Sequence, residues 1–503
     1  MASAGISTPL RRPHPRATEE LRLVELSWRQ QAMRVALFSV PFLAVALYGV
    51  HLGFLSNAHA HIVAKSLLAA DRLRLEVIGF LYPPLPFLTV LLYPRAWTPA
   101  VLGSVAAGAT AWIVWYDLER AGLPRLWRML LLAAVVATPS SLFLATQAYP
   151  DMLALHLVIV AWHYYQNFIR YQHTFSGFVA GLVLGLAFYA HFYALLYGLA
   201  LALLVPLYRR LENRTVSTDE RWATVSQMLV TAFPVLWAAT SWTYINWVFT
   251  GNPLTYLADP AAAVFDPARW QAPLDERVAW LPAFGRELVA QVLLLGSALL
   301  VAWRQPRQLL PLAALALFPV VIRLAGLNYA APLALGTYTL IALVALPERL
   351  PRWVAPILVV LAIAQGALNA TLVAGEPEVE QWERVVTTGQ PQASDLTERA
   401  FAERLAAAPA RSILTDDRSS YRLIARAETA HPFLLPADAE FARALEQPRW
   451  YVRYILVDSA PAGRDLVSER FGERPPENFV VDGGTGRWIV YRREDAPSLF
   501  AEP

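Results

Sequence analysis

Ionisable side chains that could carry chemistry are concentrated in one stretch between two apolar runs. With the neighbouring amide they are, in chain order, Asn57, His59, His61, Lys65, Asp71, Arg72, Arg74 and Glu76. Imidazoles act as bases or as metal ligands, so His59 and His61 are candidates for either role. Two residues apart, they cannot share one helix face, but they can converge at a helix start. The alternative is that both are interfacial side chains hydrogen-bonded to headgroups or water.

Asp151 follows Pro150 at the junction of two apolar runs. A carboxylate at a helix start can cap the helix. It can also face the first polar stretch and bind a metal ion or an acceptor hydroxyl, because a carboxylate at membrane depth is costly and often functional. The two roles are compatible. His191, between two further apolar runs, is placed at the same end of the molecule.

The elements that must position these residues are apolar runs of the length that crosses a bilayer, about 20 residues. They recur to about residue 374, which predicts a mostly α, polytopic helical bundle. The predicted spans are 32–55, 99–117, 128–147, 151–168, 175–190, 192–208, 225–247, 287–303, 309–326, 329–346 and 353–373.

Arginine placement orients the predicted bundle, because short cytoplasmic loops hold the Lys and Arg excess. Keeping the Pro-rich stretch 82–98 outside puts the arginine-bearing loops inside. This predicts a cytoplasmic arm at 1–31, a transmembrane domain at 32–375 and an outside C-terminus. The long loops 56–98 and 248–286 then both lie outside, where extended loops often form a site.

The composition becomes charged from Glu376 onward, and the periodicity suits a small external α/β domain over 376–503. Ser412–Thr415 and Tyr454–Asp458 are predicted to be short buried strands. Helices are expected near 395–408, 419–427 and 438–446, and residues 479–491 form a closing hairpin on a glycine cluster. That cluster is followed by a strand, so it is not a phosphate loop.

Overall composition excludes several classes of function. The 503 residues include no cysteine, which removes disulfides, thiolate metal sites and cysteine nucleophiles. With 56% hydrophobic residues, 16% charged residues and a net charge of +3, the chain is typical of a membrane protein and not of a nucleic-acid partner.

The pattern resembles the GT-C superfamily of membrane glycosyltransferases, particularly the polyprenyl-phosphate-sugar-dependent branch with protein O-mannosyltransferases and lipid A aminoarabinose transferases. The similar features are a long first external loop, Tyr82-Pro-Pro-Leu before the second span, Asp151 after the third span, the exit Asn246-Trp247 with Gly251-Asn-Pro-Leu254, and a C-terminal external module. The resemblance covers nearly the whole chain.

Three positions depart from what the resemblance implies. Asn57 stands where an aspartate activates the acceptor or helps bind a metal, and an amide cannot act as a base. His191 and Asn328 stand where arginines would bind the lipid phosphate. Two hypotheses follow: either neighbouring residues have taken over the chemistry, or catalysis is lost and the chain is an accessory or scaffold subunit.

Under the first hypothesis, the resemblance implies the following candidates. The catalytic group comprises Asn57, His59, His61, Asp71, Glu76 and Asp151, and the donor-phosphate group comprises Lys65, Arg72, Arg74, His191 and Asn328. Substrate-binding candidates are Tyr82, Asn246, Trp247, Asn252 and Tyr256. A divalent metal on Asp151, His59 and His61 is a further hypothesis, and no other cofactor is expected.

The expected function is inverting transfer of a sugar from a polyprenyl-phosphate donor to an acceptor hydroxyl on the outer face of a plasma or inner membrane. Expected partners are membrane lipid, the donor lipid, a glycan, lipid or protein acceptor, and other membrane subunits. A transporter fits less well, because the chain has no convincing internal repeat, no symmetric pair of broken spans and few mid-span charges.

Overall fold

The computed structural model describes residues 27–74, 82–171, 173–212, 218–257, 273, 281–310, 312–313, 318, 321–322, 331–459 and 465–500. Two of the candidate residues, Glu76 and Asn328, lie outside this part of the chain.

The described residues between Ser27 and Gly375 form a helical bundle. Its described helices are α1 (Trp28–His51), α2 (Asn57–Arg72), α3 (Pro84–Leu91), α4 (Thr98–Arg120), α5 (Arg125–Val136), α6 (Pro139–Gln147), α7 (Tyr149–Tyr171), α8 (Thr174–Ala190), α9 (Tyr193–Glu212), α10 (Thr218–Thr250), α11 (Leu281–Ala290), α12 (Val292–Arg304), α13 (Ala331–Val344) and α14 (Val354–Val373). Short 3₁₀ turns cover Thr255–Leu257 and Pro306–Gln308.

Several of these helices have the length and composition of membrane spans. Among the described residues, four helices qualify, or up to six if each of two bent pairs is one span. Three shorter apolar helices lie within α8, α9 and α13. Helix α3 has only 8 residues, far fewer than the ~20 that a crossing requires. The protein is therefore a polytopic helical membrane protein, while the expected count of eleven spans stays a prediction.

Two predicted spans are bent rather than straight. The span predicted at 128–147 consists of α5 and α6, which meet at 76°. Thr138 accepts from the Ser141 N–H at 3.3 Å and Pro139 follows at the first helical position, so a new helix begins there. The span predicted at 287–303 is likewise split into α11 and α12, at 66°. At that break, Gln365 Oε1 accepts from the Leu293 N–H at 3.0 Å.

Glycine allows α1 and α4 to pack closely. A Cβ added at Gly108 would lie 2.1 Å from Ser39 Oγ and 2.7 Å from the Ser39 Cα. Such close approach is typical of helix crossings in membranes, where small residues let backbones meet.

We therefore expect Gly108→Ala to destabilise the bundle by about 1–3 kcal/mol through overpacking. The matched control is Gly375→Ala, because a Cβ at Gly375 meets nothing within 4 Å. Thermal unfolding of both variants in detergent measures the difference. Equal melting temperatures for the two variants would mean that α1 and α4 can move apart without a loss of stability.

Beyond α14, two helices lead into a small α/β domain. The elements are α15 (Pro377–Thr388), α16 (Ala393–Ala406), β1 (Ile413–Leu414), α17 (Asp417–Ala427), β2 (Phe433–Leu434), α18 (Phe441–Glu446), α19 (Pro448–Tyr451), β3 (Tyr454–Asp458), α20 (Leu466–Phe471), β4 (Phe479–Thr485) and β5 (Trp488–Arg493). The strand order is β2-β1-β3-β5-β4. The first three pair in parallel, whereas β5 runs antiparallel to both β3 and β4.

The predicted strands and hairpin of this domain are confirmed. Strands β1 and β3 lie within the predicted segments and are fully buried, and β4 and β5 form the closing hairpin. Strand β2 and helix α15 were not predicted from the sequence. Strand β2 has only two residues, too few for a periodic signal, and α15 begins directly after Glu376 with a proline at its first position.

Candidate active site

Helix α2 of the first loop is fixed to the junction between α6 and α7. The Ser56 hydroxyl donates to the Gln147 carbonyl at 2.6 Å and also accepts from the His59 N–H at 3.2 Å. The Tyr149 N–H in turn donates to His59 Nε2 at 3.2 Å. These contacts join the start of α2 to Tyr149, which lies two residues before Asp151 in α7. The first loop and Asp151 therefore meet at one end of the bundle.

The two histidines of α2 have different surroundings. His59 is 1% exposed, and burial lowers its pKa to about 3. It is therefore neutral at ordinary pH, with Nε2 already used as an acceptor. The His61 ring instead packs edge-on against the Tyr421 ring of α17, with centroids 5.5 Å apart.

Asp151 and His191 come together at the ends of α7 and α8. Asp151 Oδ1 lies 3.5 Å from His191 Nε2. The other ring nitrogen, Nδ1, accepts from the Tyr193 N–H at 3.3 Å, and the His191 ring stacks on the Tyr193 ring at 4.4 Å. The imidazole is thus held from both sides. The expected proximity of His191 to Asp151 is present in the structure.

An aromatic cluster lies beside this end of α8. Tyr82 is 1% exposed, and its hydroxyl donates to the Phe188 carbonyl. Its ring centroid is 5.2 Å from that of Tyr256 and 5.5 Å from that of Phe188. The first and second long loops therefore meet here, because Tyr82 belongs to one and Tyr256 to the other.

The other substrate-binding candidates are not gathered at this cluster. Asn246 is fully buried, and its amide donates to the Trp242 carbonyl one turn back, at 3.0 Å. Trp247 is 58% exposed. The side-chain oxygen of Asn252, Oδ1, accepts from the Leu254 N–H at 3.0 Å. This hydrogen bond forms the turn after α10.

Two of the cations proposed for phosphate binding are engaged by the α/β domain. Lys65 forms an ion pair with Asp417 at the start of α17. Arg72 pairs with Asp438 through two hydrogen bonds, at 2.8 and 2.9 Å, and donates to the Phe433 carbonyl at 2.7 Å. Asp71 contacts Arg72 and also lies 3.2 Å from His431 Nδ1. These residues fix the domain onto α2.

Asn57 is also held by the α/β domain. Its side-chain oxygen accepts from Arg422 Nη1 at 3.0 Å and from the Tyr421 hydroxyl at 3.2 Å. Arg422 Nη1 additionally donates to the Leu55 carbonyl at 2.7 Å. The neighbouring Arg426 donates to the Gly53 carbonyl at 3.0 Å. Both arginines therefore bind the backbone that leads into α2.

The same two arginines share a pair of acids on α16. Arg422 lies 3.1 Å from both Asp395 and Glu398, and Arg426 lies 2.7 Å from Glu398. Burial raises the pKa of Glu398, but the charges and hydrogen bonds of the two arginines outweigh it and leave that pKa below the ordinary value. The arginines thus favour the charged form of Glu398, and the cluster joins α16, α17 and the first loop.

Arg74 is exposed beyond the end of α2. Within the described ranges, no group of three or more His, Asp or Glu side chains is arranged to hold a metal ion. His59 is bonded to the Tyr149 amide and Asp151 faces His191, so these two are not arranged as joint ligands here.

Removing the Lys65 ammonium should weaken domain docking. Burial raises the pKa of Asp417, but Lys65 and His61 together lower it by more than burial raises it. The net pKa therefore lies below its ordinary value of 3.8. The stabilisation is thus fully present above pH 3.8 and is lost as the pH falls through the lowered pKa. We expect Lys65→Met to cost about 2 kcal/mol at neutral pH, because a buried carboxylate loses its partner.

The matched control for this variant is Arg74→Met, which removes an exposed cation just beyond the end of α2. Thermal unfolding in detergent at neutral pH and below pH 3.8 makes the comparison. The difference between the two variants should shrink at the acidic pH. A difference that is independent of pH would contradict a role for the Lys65–Asp417 charge pair.

Comparison with solved structures identifies the fold. The chain is similar to ArnT from Cupriavidus metallidurans bound to undecaprenyl phosphate, with a TM-score of 0.56 and 12% identity over 93% of this chain and 99% of that one. It is also similar to the same protein in the apo state, with a TM-score of 0.53 and 13% identity over 92% and 99% of the two chains. No family model and no curated protein matches the sequence.

The expected resemblance is therefore confirmed for the fold. This chain has the GT-C architecture, a polytopic helical bundle followed by a small domain with a sheet. The match covers nearly all of both chains, so the bundle and the domain belong to one shared architecture. At this level of identity, the likeness establishes architecture and not activity.

Arg422 and Glu378, which contact Asn57, were not predicted from the sequence. Arg422 lies 365 residues away from Asn57, and Glu378 lies 321 residues away. An acidic first turn after Glu376-Pro377 indicates a helix start, which could have located α15. No local signal could have indicated its contact with the first loop.

Proposed function

We propose that the protein is a membrane glycosyltransferase that moves a sugar from a polyprenyl-phosphate donor to an acceptor hydroxyl. The observation that supports this most is the position of Asp151. It lies where the first-loop helix meets α7, beside His191 and away from any Arg or Lys partner within the described ranges. A solved structure of the same fold holds undecaprenyl phosphate, which fits a lipid-phosphate donor.

The proposed reaction requires three things of these residues. Asp151 binds the acceptor hydroxyl, His191 and the exposed Arg74 bind the donor phosphate, and the Tyr82–Tyr256 cluster binds sugar or prenyl surface. The phosphate is a good leaving group when donors hold its oxygens. Direct displacement by the acceptor oxygen inverts the anomeric carbon. No nucleotide sugar enters the reaction.

We also propose which end of the bundle faces outward from the membrane. The end of the bundle with Asp151, the first loop and the α/β domain of residues 376–503 faces outward from a plasma or inner membrane. The donor sugar is then presented from the outer leaflet, and the acceptor is a glycan, lipid or protein on that side. Labelling of single cysteines introduced into this naturally cysteine-free chain tests the orientation.

The activity is tested by incubating the purified protein with a panel of polyprenyl-phosphate pentoses and hexoses. A total membrane lipid extract supplies the acceptors, and mass spectrometry measures the release of polyprenyl phosphate. Release that depends on both protein and extract supports the proposal. Absence of release for every donor, by protein that binds polyprenyl phosphate, contradicts it.

A second candidate is an accessory subunit that keeps the fold without turnover. The observation that favours it is that Asn57, Lys65 and Arg72 all contact the α/β domain. Exposed aromatic residues on α10, such as Trp237 at 63% and Trp247 at 58%, could then face a partner subunit or lipid. Co-purification with other membrane proteins and no sugar transfer would favour this function.

A further inference from the structure

Glu378, the second residue of α15, directly contacts the start of the first-loop helix. Its Oε1 accepts from the Asn57 N–H at 2.5 Å. Asn57 is the first residue of α2, and His59 in the same turn is bonded to Tyr149 near Asp151. The first turn of α2 therefore contacts both Glu378 and Tyr149, and Tyr149 lies two residues before Asp151 in α7.

Most other acids around α2 are already paired with a permanent cation. Asp71 and Asp438 pair with Arg72, Asp417 with Lys65, and Asp395 and Glu398 with Arg422 and Arg426. A carboxylate held by a guanidinium or ammonium is a weak base, because the cation favours its charged form. Within the described ranges, Glu378 and Asp151 have no such ion pair.

The charged surroundings of Glu378 suit a proton acceptor. Burial raises the pKa of Glu378, whereas the Asn57 N–H and the Arg422 charge lower it and the Glu376 charge raises it; the net pKa lies above the ordinary value. The Tyr421 hydroxyl approaches from α17 and donates to Asn57, not to Glu378. A base is most effective when its pKa lies close to the working pH.

We propose, on the basis of the proposed function, that Glu378 is the general base that deprotonates the acceptor hydroxyl, in the place that the amide of Asn57 cannot fill. The acceptor oxygen forms a bond to the anomeric carbon while the bond from that carbon to the phosphate oxygen breaks. The electron pair of the broken bond leaves with polyprenyl phosphate. The acceptor proton passes to the Glu378 carboxylate and then to solvent.

Glu378→Gln separates this role from simple helix capping. The amide oxygen of Gln can still accept from the Asn57 N–H, so the start of α2 keeps its contact, but Gln cannot take a proton. We expect kcat for polyprenyl phosphate release to fall about 10²-fold, with an unchanged Kd for polyprenyl phosphate. The wild-type rate should rise with pH as Glu378 deprotonates, and the variant should lack that rise.

Two further variants complete the test. Glu378→Asp keeps a carboxylate and should be about tenfold faster than Glu378→Gln, even if the shorter side chain weakens the contact with Asn57. Glu380→Gln removes an exposed acid on the same helix that pairs with Arg384, and it should match the wild type. Melting temperatures show whether each variant is folded.

The outcomes separate this inference from the proposed function. If the wild type releases polyprenyl phosphate while Glu378→Gln equals Glu380→Gln, the base role is overturned and the glycosyltransferase stands. The base role is likewise overturned if Glu378→Asp and Glu378→Gln lose the same activity. If the wild type itself transfers no sugar, the proposed function fails and this inference fails with it.

Discussion

Asp151→Asn is expected to reduce the release of polyprenyl phosphate by between about 10² and 10⁴-fold. Asparagine has the size of aspartate but cannot share a proton or carry the charge that orients an acceptor hydroxyl. The first turn of α7 tolerates the change, because asparagine serves well near a helix start. The expected loss is therefore in kcat, with the melting temperature and the Kd for polyprenyl phosphate close to those of the wild type.

The chain offers a matched control in a second Asp–His pair. Asp117 of α4 lies 3.3 Å from Nδ1 of His163, which is further along α7 than Asp151. Asp117→Asn should therefore keep the turnover of the wild type. If both variants lose activity equally, the effect comes from general damage to the bundle and Asp151 has no special role.

Arg426→Met is expected to lower the free energy of unfolding by about 3–5 kcal/mol. The Arg426 side chain is 6% exposed and its partner Asp395 7% exposed. Without Arg426, Asp395 and Glu398 have only Arg422 between them, so the buried cluster has one uncompensated negative charge. The Gly53 carbonyl also loses its guanidinium donor. We expect the α/β domain to separate from the first loop before the bundle unfolds, which limited proteolysis can detect.

The control for this variant lies on α16. Arg399 pairs with Glu403 one turn away, and the two side chains are 58% and 64% exposed. Exposed pairs of this kind contribute about 0–1 kcal/mol, so Arg399→Met should melt almost like the wild type. A similar melting temperature for the two variants would show that the buried cluster does not hold the domain in place.

The proposed function and the proposed base role of Glu378 share one structural consequence. Contacts that run from Arg422 and Arg426 of α17 to Gly53, Leu55 and Asn57 fix the loop that leads into α2. Loss of domain docking should therefore reduce activity without altering Asp151 itself. The α/β domain then serves to position the first loop, in addition to covering it.

The amino-acid sequence alone determined the architecture of this protein. Apolar runs and arginine-bearing loops are local patterns, because burying a helix in a bilayer depends on the composition of about 20 consecutive residues. The strands β1 and β3 and the closing hairpin are local for the same reason: period, turn residues and β-branched content lie within a few neighbours. The bends after Val136 and Ala290 were missed, since each lies inside an apolar run that favours one continuous helix.

The tertiary structure alone decided which ionisable residues are available for chemistry. Lys65 and Arg72 have the residue types of phosphate ligands, yet their partners Asp417 and Asp438 lie 352 and 366 residues further along the chain. Glu378 became a candidate only because α15 returns to the start of α2. Charge pairing acts through space over a few ångströms, so a sequence pattern can name the charged groups but cannot say which of them neutralise one another.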